Sequence, residues 1–300
     1  MKNAKYHLIA LLVIVVWGTT FVATKVLLYN GLTPRDIFFF RFLLAYIGIW
    51  FFGPRRLFAD NIKDELLLVL VGITGGSLYF MAANTALEIT QASNVALLAC
   101  TSPILTIIFS RLFFKNERFQ NPNLLKGSLL ALIGVVFVVF NGRFILQINP
   151  LGDLLSLLAA LSWALYAILL KHFGGRYSML FITRKVFFYG LLTLLPMFLR
   201  EPLNTEVLMQ GVVWGNLFYL GIAASLICYF LWNTAVKRLG AVRASTYVYL
   251  SPVVTMIASV IVLNETITLV AVAGALLILI GVALAERTNS KAHVTQCGSE

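Results

Sequence analysis

The stretch NTALEITQASNVALLACTSP, residues 84–103, returns as NTAVKRLGAVRASTYVYLSP, residues 233–252. Asn-Thr-Ala opens both and Ser-Pro closes both, at identical spacing. Further out the order of landmarks is kept: the polar break Asn116-Glu117 matches Asn264-Glu265, and Gly127 with Gly134 matches Gly274 with Gly281. A motif set duplicated in order is an internal repeat. Each copy holds an odd number of membrane-length apolar segments, so the second copy starts on the opposite side of a membrane from the first, the pattern of an inverted repeat.

Composition supports the membrane reading. Of 300 residues, 60% are hydrophobic and only 12% charged, against about 25% charged in soluble domains. A span takes about 20 apolar residues, and ten stretches qualify: 8–29, 35–53, 66–87, 93–114, 124–141, 151–171, 179–199, 212–236, 242–263 and 267–285. The expected fold is therefore all-α, with ten transmembrane helices in two inverted five-helix repeats, 1–145 and 146–286. A polar, disordered cytoplasmic tail, 287–300, follows. The first run is too long for a signal-peptide core and lacks a clear small-residue cleavage site, so it reads as a retained helix.

The net charge of +11 is topological. With the N-terminus inside, the inner loops carry most of the Lys and Arg, among them Lys5, Arg56, Lys63, Arg111, Lys171, Arg176, Lys237 and Arg238, while the outer loops hold Arg35, Arg143 and Arg200. This asymmetry places both termini in the cytoplasm. It also argues against a nucleic-acid partner, which would need one clustered basic face. Cys100, Cys228 and Cys297 form no disulfide framework, and His7, His172 and His293 have no second ligand at metal spacing. No cofactor is expected. The anticipated partners are the lipid bilayer and a small-molecule substrate, with the chain a monomer or weak homodimer.

Trp17-Gly-Thr-Thr-Phe21, Arg41-Phe42, Asn84-Thr85-Ala86-Leu87, Ser102-Pro103, Asn116-Glu117, Gly134-Val135 and their second-half partners resemble the EamA-type branch of the drug/metabolite transporter superfamily. The resemblance runs from about Ile9 to Glu286. It implies ten helices in two inverted repeats that export small metabolites by alternating access, but no particular substrate. It also implies a central cavity lined by spans one, three, four, six, eight and nine, with five and ten as braces.

Polar and aromatic residues deep in spans are the candidates for substrate contact. They are Trp17, Thr20, Tyr79, Asn84, Thr101, Trp163, Tyr166, Tyr229, Asn233, Tyr247 and Ser251. Trp17 and Trp163 occupy related places in the two copies and are expected on opposing cavity walls. Each Asn is as readily an interhelical strut as a ligand contact. Pro103 and Pro252 remove a helical hydrogen bond each and should kink inward-facing helices. Lys25, Arg41 and Arg184 are the gating or charge candidates, with snorkelling the simple account of Lys25. Span centres hold no carboxylate; Glu88 and Asp153 sit at edges, which favours facilitative or exchange transport over proton coupling. A membrane-embedded enzyme is the rival class, yet no HExxH, paired carboxylates or Cys/His dyad appears. A receptor or assembly factor would not require duplicated inverted halves.

Overall fold

The computed structural model describes residues 4–52, 56–90, 92–114, 122–140, 149–173, 175–198, 207–263 and 268–286. Asn116-Glu117, Asn264-Glu265, the tail from residue 287 and the outer basic residues Arg143 and Arg200 lie outside them. The described residues form helices α1 (Ala4–Tyr29), α2 (Pro34–Ile49), α3 (Ile62–Gly72), α4 (Leu78–Ile89), α5 (Ala92–Ala99), α6 (Ser102–Phe113) and α7 (Pro122–Phe140). The second half follows with α8 (Pro150–His172), α9 (Met179–Phe198), α10 (Gly211–Phe218), α11 (Cys228–Leu239), α12 (Ala241–Thr246), α13 (Ser251–Leu263) and α14 (Leu269–Glu286).

Local sequence accounts for the ends. Thr33 caps α2 by accepting from the Asp36 amide at 3.2 Å, with Pro34 in the first turn, where proline's missing N–H costs nothing. Asn61 and Asn149 cap α3 and α8 by accepting from the amides of Asp64 (2.8 Å) and Gly152 (3.0 Å). Gly240 separates α11 from α12 at φ +88°, a left-handed conformation in which other residues are strained.

The helices run between two rims. At the first, Arg238 stacks over Tyr6, Lys171 over Phe114, and the Asp60 amide donates to the Tyr177 hydroxyl at 3.0 Å. At the second, Arg35 Nη1 donates to the Met197 carbonyl at 3.4 Å, and Asn149 Nδ2 to the Ile89 carbonyl at 2.8 Å. Among the described residues six helices are long and apolar enough to cross a membrane, Ala4–Tyr29, Ile62–Ile89, Val95–Phe113, Pro150–His172, Met179–Phe198 and Gly211–Leu239, with shorter apolar helices at Asn123–Val139 and Leu269–Ala285. The second expected span is the shorter α2, 16 residues long. It carries Arg35, Asp36 and Arg41, all buried. Arg35 was expected in an outer loop; instead it is 5% exposed and ion-paired with Asp36 at 2.9 Å.

Two π-helical segments interrupt corresponding places in the two halves: Ile73–Ser77 joins α3 to α4, and Tyr219–Ile227 joins α10 to α11. Wider turns leave carbonyls poorly served by their own helix, and side chains from other helices take them up. Ser162 Oγ donates to the Thr74 carbonyl at 2.7 Å and the Tyr229 hydroxyl to that of Gly75 at 2.6 Å. In the later segment Trp17 Nε1 donates to the Ala224 carbonyl at 2.9 Å.

The Ser-Pro pairs also break their helices. Ser102-Pro103 starts α6 after the interruption at Cys100 and Thr101, and Ser251-Pro252 starts α13 after a 3-10 turn, Tyr247–Leu250. Proline at position 252 cannot donate to the Val248 carbonyl, which receives the Cys100 thiol at 3.9 Å instead.

Helices α7 and α14 pack antiparallel through glycine. A Cβ on Gly134 would lie 2.6 Å from the Gly274 carbonyl oxygen, and one on Gly281 2.7 Å from the Gly127 carbonyl oxygen. Contact of this closeness is available only to residues without a side chain.

Candidate functional site

A cavity lies in the half of the bundle nearer the second rim. Helix α1 contributes Trp17, Thr20 and Thr24; α4 contributes Tyr79, Ala83, Asn84 and Leu87. Arg41 enters from α2, Ala99, Cys100 and Ser102 from the broken α5–α6 run, Trp163 from α8, Tyr229 from α11, and Val248 and Ser251 from the other broken run. The two Ser-Pro serines thus face one space. Spans one, three, four, six, eight and nine all contribute, as expected, and span two joins them through Arg41.

The floor is aromatic. Trp17 meets Trp163 edge to face with centroids 5.2 Å apart, Trp163 lies 5.0 Å from Tyr79, and Trp17 lies 5.1 Å from the fully buried Trp232. Offset and edge-to-face contacts of this kind are the favoured arrangements. Trp17 and Trp163 therefore touch, and do not face one another across the cavity as the symmetry argument expected. The Trp17 indole is also held by its bond to Ala224, so the wall is rigid.

Arg41 is 4% exposed. Its Nε donates to Ser225 Oγ at 2.6 Å and its guanidinium stacks 4.3 Å from the Phe80 centroid. Among the described residues this is its one hydrogen bond. No Asp, Glu, Lys or His lines the cavity among the described residues. Asn84 Nδ2 donates to the Pro34 carbonyl at 3.2 Å, so this amide both braces α4 against α2 and borders the cavity.

Six candidates stand elsewhere. Tyr166 donates to Asn233 Oδ1 at 2.6 Å, and Asn233 Nδ2 donates to Thr183 Oγ1 at 2.9 Å, making a fully buried strut between α8, α11 and α9. Its polar atoms are used within the protein, which is why it offers nothing to a ligand. Tyr247 bonds His7 Nδ1 at 2.7 Å. The Thr101 hydroxyl returns to the Leu98 carbonyl at 2.6 Å, satisfying the helix break and not the cavity. Lys25 snorkels only as far as the Leu87 carbonyl, 2.8 Å away, tying the end of α1 to the end of α4. Arg184 lies outside the cavity, over Trp50 at 4.6 Å. Pro103 and Pro252 are both buried at the helix breaks.

The half nearer the first rim is ion-paired. Lys185 and the Tyr189 hydroxyl both bond Glu65, which also accepts from the Ala59 amide at 2.6 Å. Beside it Asp64 accepts from Arg176 at 2.9 Å and from the Tyr177 hydroxyl at 2.7 Å. Burial pushes the Tyr177 phenol above its ordinary pKa, keeping the proton that it donates. The sequence reading missed this network. Glu65 falls one position before the expected third span, and its partner Lys185 is 120 positions away.

The EamA-like transporter family matches the chain twice, over residues 4–140 and 150–286. The chain belongs to the EamA-like transporter family. It is a multi-pass membrane transporter. An "Uncharacterized transporter" of Archaeoglobus fulgidus is 29% identical over 97% of this chain and 99% of its own length. A "Probable amino-acid metabolite efflux pump" of Escherichia coli K12 is 28% identical over 93% of this chain and 94% of its own. A solved crystal structure at 22% identity aligns with a TM-score of 0.75, covering 94% of this chain and 96% of that one. Its likeness bears on the EamA-like fold.

Proposed function

We propose that this EamA-like protein is a ten-span inner-membrane carrier. Two inverted repeats meeting near residue 145 export small amphipathic metabolites by alternating access. The observation that carries this reading is the one-sidedness of the bundle: a cavity beside the second rim, and beside the first the Glu65–Lys185 and Asp64–Arg176 pairs that tie helices together. A carrier needs one site and a barrier on one side of it at a time.

Further features support the repeats. The Gly127–Gly281 and Gly134–Gly274 contacts are what a two-fold axis across α7 and α14 would generate. The π segments and the Ser-Pro breaks also fall at matching places in each half. The first rim carries Lys171, Arg176, Lys237 and Arg238 and is assigned to the cytoplasm by the positive-inside bias. The cavity half then faces outward. The efflux-pump names of the Escherichia coli and Salmonella typhimurium relatives make amino-acid-like compounds the first class to try.

The test is proteoliposome uptake and efflux against a metabolite library, paired with cysteine accessibility in a cysteine-free variant. Thr20→Cys is expected to react from the outer face without substrate and to lose that reactivity when a transported solute is added. Unchanged reactivity with every solute, together with no flux, would sink the carrier reading.

A further inference from the structure

Buried cations in this protein come in two conditions. Arg35 has Asp36 at 2.9 Å, with side chains 6% and 4% exposed. Lys185 has Glu65, with side chains 4% and 14% exposed. Arg41 is as deeply buried as either, yet no carboxylate approaches it among the described residues. Its surroundings fix the guanidinium without neutralising it: Ser225 takes Nε, Phe80 takes the face, and Nη1 and Nη2 make no hydrogen bond to the described residues.

A buried charge without a counter-ion is strongly unfavourable, and in membrane interiors such groups pair or border a polar pathway. The missing counter-ion has a place to sit, because Arg41 lines the cavity. The planar fork of donors that remains is suited to the two oxygens of a carboxylate. Around it the cavity offers the rings of Trp17, Trp163 and Tyr79, with Thr20, Ser102 and Ser251 as neutral hydroxyls. Nothing there compensates an ammonium. A cationic solute would meet the guanidinium charge in a low-dielectric space, where like charges repel far more than in water.

Resting on the carrier reading, we propose that Arg41 selects substrates bearing one free carboxylate on an apolar or aromatic body. An α-amino group is tolerated and not required. Arg41 is then the specificity-determining residue, the solute's own charge completing the ion pair that the protein leaves half made.

Three probes share one skeleton and separate the groups: 3-phenylpropanoate has only the carboxylate, phenylalanine both groups, and phenethylamine only the ammonium. Binding to the purified full chain is read by quenching of tryptophan fluorescence, since Trp17 and Trp163 line the site. The two carboxylates are expected to bind within about tenfold of each other, and phenethylamine about ten- to a hundredfold more weakly, the range of a charge-assisted hydrogen-bonded contact. Arg41→Gln should remove that preference, and Arg41→Lys should restore part of it. Phenethylamine binding as well as 3-phenylpropanoate, or all three failing to bind at millimolar concentration, overturns the proposal. So does a preference unchanged in a folded Arg41→Gln. Should that variant not fold, the wild-type series decides alone. Counterflow in proteoliposomes distinguishes the two levels. Carboxylate-selective binding without flux removes the carrier reading and leaves the site, whereas flux that ignores the carboxylate removes the site and leaves the carrier.

Discussion

Lys185 on α9 and Arg41 on α2 are both buried cations among aromatic rings, and they are treated in opposite ways. Lys185 is neutralised by Glu65, with Tyr189 donating to the same carboxylate. Arg41 is steadied by a serine and a phenyl ring and left with its charge uncompensated. Where α3 must hold α9, the protein supplies both partners; where the cavity lies, it supplies one. The contrast teaches that a buried charge is informative through the partner it lacks as much as through the one it has.

The largest effect should come from breaking the closed pair. Lys185→Ala leaves Glu65 as a carboxylate with too few partners, and removing one member of a buried pair costs about 3–5 kcal/mol. Because Glu65 is 14% exposed, the lower part of that range is expected, read as a fall in Tm in detergent. Glu65→Leu combined with Lys185→Leu should recover most of it. A double variant no better than Lys185→Ala would show that the pair is not what joins α3 to α9.

A smaller loss is expected at the boundary between the halves. Tyr229→Phe removes the donor to the Gly75 carbonyl, and an unsatisfied buried acceptor costs about 1–3 kcal/mol. Hydrogen exchange at Gly75 to Ser77 should rise before that of neighbouring turns. Equal exchange in wild type and variant would mean the π segment holds itself.

The paired asparagines sharpen the comparison further. Asn233→Leu strips two bonds from the Tyr166–Asn233–Thr183 strut and should lower Tm, whereas Asn84→Leu should lower flux with a smaller change in Tm. Reversed results would exchange the roles given to the two halves.

The smallest stability effect belongs to Arg41→Gln. No carboxylate is orphaned, so Tm should stay level or rise even as binding is lost. A fall as large as that of Lys185→Ala would reveal a partner for Arg41 and dissolve the contrast.

Much of this was legible in the residues. The duplicated Asn-Thr-Ala and Ser-Pro landmarks gave the helix breaks, because proline's missing donor acts locally. Arg41 was legible by its depth alone. The glycines at 127, 134, 274 and 281 were legible as matched landmarks of the two copies, though not as the faces on which α7 and α14 meet. The π segments were not legible: Gly75 sits against the Tyr166 ring, where an added Cβ would approach to 2.3 Å, so the widened turn answers to tertiary packing. Asn84 and Asn233 stand in the same tripeptide, and only the neighbours, Pro34 in one case and Tyr166 with Thr183 in the other, give them different work. The Glu65–Lys185 pair joins residues that no local pattern connects.

The glycine contact between α7 and α14 has a mechanical consequence. Carbonyl oxygens sit where side chains would otherwise keep two helices apart, so this seam cannot close further and resists parting without loss of contact along its length. Under the alternating-access reading proposed above, movement of one half against the other is confined to turning about it, as leaves turn on a hinge pin. Displacement grows with distance from the pin, and α2, carrying Arg41, packs on α4, α9 and the π segment Tyr219–Ile227. Arg41, the cation that lines the cavity, is thereby placed on the long arm of the lever.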